Sequence, residues 1–170
     1  MIEKDARMKR IALVLPWAGK RPAYWELWRR SAAERCFDVV VVEKSLEDFS
    51  QLVNERLTGG SGSDDSPVTL RSGHKLCDLK PMYGVMFAEE LKGYDYWAFG
   101  DCDVMYGRQF DAWIEKVVAG DYEVATVQQD FIAGPFTLVK NCEKCNRFFE
   151  KAAGWRDILL QPKTMAFDEL

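Results

Sequence analysis

Asp101-Cys102-Asp103 sets two carboxylates one residue apart, directly after the bulky apolar run Tyr96-Trp97-Ala98-Phe99 and Gly100. Charge that emerges from such a run without a polar lead-in is unlike an ordinary hairpin tip. Carboxylates at the end of an apolar strand can hold a hard divalent cation, Mg2+ or Mn2+, that takes its other oxygens from a diphosphate and water. The cation then neutralises the charge that develops on departing phosphate oxygens. Gly100 and Gly107 let the chain turn here so that both carboxylates converge. A solvated turn accounts for an isolated Asp-x-Asp; the greasy strand before this one favours metal binding by Asp101 and Asp103.

Three other groups of residues could carry chemistry. In Lys75-Leu76-Cys77-Asp78-Leu79-Lys80-Pro81, Lys75 and Lys80 can meet phosphates and Asp78 can accept from hydroxyls. A capped helix start explains the same letters through capping and dipole effects, and both readings stand. The loop Pro16-Trp17-Ala18-Gly19-Lys20-Arg21 can offer backbone groups and the Trp17 ring to a nucleotide; the alternative is a plain connection with Trp17 in the core. Cys142-x-x-Cys145 has zinc or redox spacing but no second pair, so core packing of Cys145 beside a surface thiol is the expectation. His74 is the one histidine, which leaves a Ser/His/Asp triad without support and makes it a solvated loop residue.

The elements that must position these groups alternate. Apolar runs at Ile11 to Leu15, Val39 to Val42, Tyr96 to Phe99, Glu123 to Val127 and Phe136 to Val139 read as strands. Ile11 to Leu15 ends at Pro16. Helical spacing follows at Tyr24, Leu27 and Trp28, and at Leu46, Phe49 and Val53 after a Ser45/Asp48 capping box. It recurs at Tyr83, Met86 and Phe87 up to Gly93, and at Phe110 to Val118 up to Gly120. A last helix is predicted with Asn141 as cap, Cys145, Phe148, Phe149 and Ala152 on one face, and Gly154 as its end. Such alternation predicts an α/β class with a mainly parallel central sheet covered on both faces. Residues 58–67, rich in Gly, Ser and Asp, predict a flexible loop inside one domain spanning 1–170.

Composition narrows the function. The 170 residues are 48% hydrophobic and 29% charged, enough apolar content for a core. A net charge of −4 without long basic blocks speaks against nucleic-acid binding. Five cysteines at irregular spacing, and no export signal after the short basic and apolar stretch from Arg7 to Leu15, lead to a cytoplasmic protein. No run approaches the roughly 20 apolar residues of a spanning helix, although peripheral membrane contact stays open.

Taken in order, Ile11 to Pro16, Lys75 to Pro81, Gly93-Tyr94-Asp95-Tyr96-Trp97, Gly100 to Asp103 and Phe136-Thr137-Leu138-Val139-Lys140-Asn141 resemble GT-A-type glycosyltransferases of bacterial surface-polysaccharide pathways. The resemblance implies a Rossmann-like three-layer sandwich that binds a nucleotide-diphosphate sugar with Mn2+ or Mg2+ and passes the sugar to a glycan or lipid-linked acceptor. It gives Asp101 and Asp103 the metal and donor, gives Pro16, Trp17, Lys75, Asp78 and Lys80 donor contacts, and casts Asp168 or Glu169 as general base. The end of the sequence at Leu170, one residue after Glu169, departs from the family and leads to the expectation of either a fragment or a C-terminally shortened member. Two other readings remain: a haloacid-dehalogenase-like phosphohydrolase with Asp101 as nucleophile, and a non-catalytic relative.

Overall fold

Strands β1 (Ile11–Trp17), β2 (Asp38–Glu43), β3 (Tyr96–Gly100), β4 (Val124–Thr126) and β5 (Phe136–Lys140) form one sheet in the order β2-β1-β3-β5-β4. The computed structural model describes residues 8–59 and 67–167. The helices are α1 (Trp25–Ala33), α2 (Leu46–Leu57), α3 (Lys75–Asp78), α4 (Tyr83–Met86), α5 (Gln109–Ala119), α6 (Glu143–Asn146) and α7 (Trp155–Leu160).

Period-two alternation along the strands builds two cores. Ile11, Leu13 and Leu15 of β1, Tyr96 and Ala98 of β3, and Phe136 and Leu138 of β5 face one side, where Trp25 and Trp28 of α1 and Ile114 and Val117 of α5 cover them. Ala12, Val14, Trp97, Phe99 and Val139 face the other side, under Phe49 and Val53 of α2, Leu76 of α3, Met86 of α4, Cys145 of α6 and Leu159 of α7. The result is a sheet between two helical layers. Among the described residues, no helix is long and apolar enough to cross a membrane.

The sheet is mostly parallel in its core, as expected, but mixed, because one strand is reversed. β1 pairs in parallel with β2 and β3, whereas β5 runs antiparallel to both β3 and β4. Residues 127–135, which join β4 to β5, hold no helix, and parallel pairing needs a longer crossover.

Other boundaries shift for local reasons. β1 continues through Pro16, which aligns with Val42 of β2, because β3 pairs only as far as Val14 and the missing N–H faces no second neighbour. The covered face of α1 is Trp25, Trp28 and Ala32, one residue out of phase with the expected one, and Leu27 is 62% exposed. The capping box forms as read: Asp48 N–H donates to Ser45 Oγ and Asp48 Oδ2 accepts from Ser45 N–H. The single last helix is instead α6, a 3-10 turn over Phe148–Lys151, and α7. Cys142, not Asn141, precedes α6; the Asn141 amide donates to the carbonyls of Leu91 and Tyr94. Gly154, in the left-handed region at φ +77°, opens α7 where it was expected to close a helix. The predicted loop at 58–67 falls mainly outside the described residues.

Candidate functional site

From β1 the chain passes through α1 to β2 on one side, and later returns to the opposite side of β1 as β3. Strand order therefore reverses between β1 and β3, and in open α/β sheets the crevice beyond the carboxyl ends at such a reversal is where ligands bind. A cavity of about 400 Å³ opens there. Leu15, Pro16, Trp17 and Ala18 from the end of β1 form one wall, and Gly100 to Asp103 from the end of β3 form another. The segment from Gly73 to Tyr83 closes a third side, and Tyr24 stands near the mouth.

The acidic turn is fixed from below. Gly100 lies so close to its neighbours that a Cβ there would sit 2.9 Å from the Pro135 carbonyl and 2.9 Å from the Tyr106 hydroxyl. Asp101 N–H donates to that same Pro135 carbonyl at 3.3 Å. The chain then turns through Cys102 and Asp103. Asp101 and Asp103 both line the cavity, but their surroundings differ. Asp101 accepts from Lys80 Nζ at 2.6 Å, and the same ammonium donates to the Gly134 carbonyl at 3.1 Å. The Asp103 carboxylate is exposed and makes no hydrogen bond or ion pair among the described residues.

Electrostatics at the mouth follow from this placement. Burial first, then the Asp103 and Asp101 charges, push the Cys102 thiol up, against a lowering hydrogen bond from Tyr24. Burial and the flanking carboxylates thus favour the protonated form of Cys102. The adjacent ionisable Cys102, then slight desolvation and the Asp103 charge, raise the Tyr24 phenol. Under the turn, burial and then the Asp101 charge raise Tyr106. Its hydroxyl is buried without a hydrogen-bond partner among the described residues.

Trp17 is a fixed wall. Its indole N–H donates to the Gly19 carbonyl at 3.0 Å, and its ring meets Trp25 edge to face at 5.0 Å. That geometry leaves an aromatic surface lining the cavity next to Pro16.

Lys75 and Asp78 take up a different task from the expected donor contact. Their side chains are 2% and 0% exposed and pair at 2.7 Å. Lys75 Nζ also donates to the carbonyls of Ile158 and Lys163, while Asp78 accepts from the backbone N–H groups of Met165 and Phe167. Neither lines the cavity. A buried charge pair needs every remaining donor and acceptor satisfied, and here the C-terminal segment supplies them. The pair thus clasps residues 158–167 onto α3, which presents Leu76 and Cys77 to the cavity just after His74. Asp168 and Glu169 lie outside the described residues.

Sequence reasoning missed Tyr24, His74 and Cys77 as lining residues. His74 stands exposed, as expected of a solvated residue, but immediately before α3 and at the cavity wall. Its signal in the sequence is its position one residue ahead of Lys75 to Pro81. Among the described residues, no three His, Cys, Asp or Glu side chains converge as a ready-made metal cage.

Residues 33–170 match the model of a family of unknown function, DUF6625. The match takes in Lys80, Asp101 and Asp103 and leaves β1 outside. No curated protein and no solved structure matches the chain.

Proposed function

The chain belongs to the DUF6625 family, and we propose that it is a metal-dependent glycosyltransferase, moving a sugar from a nucleotide-diphosphate donor to an acceptor hydroxyl in glycan or polysaccharide synthesis. One observation carries this reading: the cavity at the reversal of strand order has both carboxylates of Asp101-Cys102-Asp103 at its lip. The ordered resemblance to GT-A-type enzymes supports it. The cytoplasmic setting, the glycan or lipid-linked acceptor and peripheral membrane contact belong to the same proposal.

The donor set fits a hard divalent cation. Nucleotide-bound Mg2+ or Mn2+ needs one or two protein carboxylates and fills its other positions with phosphate oxygens and water, so a three-residue cage is not required. Asp103 would hold it, with help from Asp101, and the bound cation would neutralise charge on the departing diphosphate. Lys80 orients Asp101 by its 2.6 Å hydrogen bond, which aims that carboxylate at donor hydroxyls. Trp17 and Pro16 supply an apolar wall against which a ribose or base packs. Lys75 and Asp78 act at a distance, by holding α3 in place. Asp168 or Glu169 remains the proposed general base.

Turnover tests the reading. Incubation with a panel of nucleotide sugars and Mn2+ is expected to release nucleoside diphosphate from at least one, and Asp103→Ala is expected to abolish the release. Hydrolysis of an aryl phosphate with Mg2+, lost in Asp101→Asn, would select the phosphohydrolase instead.

A further inference from the structure

The chain leaves β5 through a turn that the proposed transfer reaction does not use, and it carries two thiols. Cys142 is extended, at φ −145° and ψ 158°, and its carbonyl accepts from Asn146 N–H at 2.8 Å, which closes one turn around Cys145. Residues three apart on one turn are neighbours, and their spacing lies within the roughly 4.4–6.8 Å Cα separation that a disulfide spans. After burial, the neighbouring Cys142 thiol is the next cause that raises the Cys145 thiol.

The two thiols differ in access. Cys145 is 3% exposed in the core with Trp97 and Phe149, while Cys142 is only partly buried at the edge of the same core. Burial first, and the Cys142 contact second, push the Cys145 thiol up to about 11. The outer thiol is thus the one a reagent meets, and the inner one is sheltered behind it. The turn is also held rigid. The Asn146 amide accepts from Trp97 Nε1 at 2.7 Å and donates to Asn141 Oδ1 at 2.9 Å, and Asn141 is in turn bonded to the Leu91 and Tyr94 carbonyls. The two ammonium groups that interact with these thiols, Lys140 and Lys144, are paired with Asp121 and Glu123 at 2.7 Å each.

We propose that Cys142 and Cys145 form a thiol–disulfide exchange site, oxidised reversibly by low-molecular-weight disulfides of the glutathione class. The Cys142 thiolate attacks one sulfur of the disulfide, forming a mixed disulfide and releasing one thiolate, which takes a proton from solvent. Cys145 then gives up its proton and attacks the Cys142 sulfur, which expels the second thiol. Two protein thiols are oxidised to one disulfide, and one small disulfide is reduced to two thiols. The site is independent of the proposed glycosyltransferase chemistry.

The test uses the full chain, glutathione disulfide, alkylation of remaining thiols and peptide mapping by mass spectrometry. The expected result is a peptide spanning 142–145 that is lighter by two hydrogens, takes no alkylating agent, and regains both alkylation sites after dithiothreitol. Cys145→Ser, or Cys145→Ala if the hydroxyl disturbs the core, is expected to trap glutathione on Cys142, and Cys142→Ser is expected to leave Cys145 unmodified. Alkylation of both thiols after oxidant treatment, a bridge mapped to Cys77 and Cys102 instead, or a glutathione adduct on Cys145 in Cys142→Ser would overturn the proposal.

Discussion

Lys80 Nζ donates to Asp101 Oδ1 at 2.6 Å from a side chain that is 5% exposed, while the carboxylate it meets is 31% exposed. The cation is therefore committed to the protein interior and the anion to the cavity rim. That asymmetry makes Lys80 the support and Asp101 the presented group. Lys80→Met would strip the support and leave the Gly134 carbonyl without this donor, while Asp101 could recover some solvation. Urea unfolding is expected to show a loss of about 1–3 kcal/mol. Nucleotide affinity is expected to fall at least tenfold in the folded variant. Unchanged affinity would mean that Asp101 needs no orientation.

The Lys75–Asp78 clasp makes a sharper stability prediction, since both side chains are essentially sealed from solvent. Asp78→Ala leaves a buried ammonium without its counter-ion and two backbone N–H groups without acceptors, at a cost of about 3–5 kcal/mol. Joint replacement by apolar residues is often neutral for a buried ion pair, but here it would orphan backbone groups of Ile158, Lys163, Met165 and Phe167. The double variant Lys75→Met/Asp78→Leu is therefore expected to stay below wild type in urea unfolding and to lose its C-terminal segment faster under limited proteolysis. Wild-type stability in that variant would show that the clasp is dispensable.

Alkaline pH supplies an independent check. Burial lifts Cys145 from 9.0 to about 11 and raises Tyr106 above its ordinary value of 10.0. The folded chain keeps these protons at a pH where the unfolded chain releases them, so stability is fully present below about pH 9 and falls as pH rises through the folded values. With reductant present, urea midpoints are expected to be flat from pH 7 to about 8.5 and to decline steadily above about pH 9. A midpoint that rises between pH 9 and 10.5 would contradict the burial of these groups.

Much of the scaffold was legible because it rests on local chemistry. The Ser45/Asp48 capping box needs only two side chains and one turn, and it formed as read. The acids after Phe99 were legible because charge beside buried aromatics is costly without a purpose. The reversed direction of β5 was not, since the sequence Phe136 to Lys140 carries no sign of which neighbour it meets. The α1 face was misread because Tyr24, Leu27 and Trp28 share a helical stripe as well as Trp25, Trp28 and Ala32 do, and only the tertiary partners choose between them. Lys75 and Asp78 were placed at the site for a similar reason. Their letters suit a phosphate as well as a clasp, and what decides is the C-terminal segment, which lies over 80 residues further along the chain.

Isothermal calorimetry with nucleoside diphosphates tests the central claim most directly, because it needs neither the acceptor nor the sugar. With Mn2+ present, at least one nucleoside diphosphate is expected to bind in about the 1 μM–1 mM range usual for enzyme substrates. Chelation of the metal should remove the heat. Asp103→Ala, an exposed substitution expected to leave stability within about 0.5 kcal/mol, should weaken binding at least tenfold. No heat with any nucleoside diphosphate and Mn2+, or wild-type affinity in Asp103→Ala, would contradict the account.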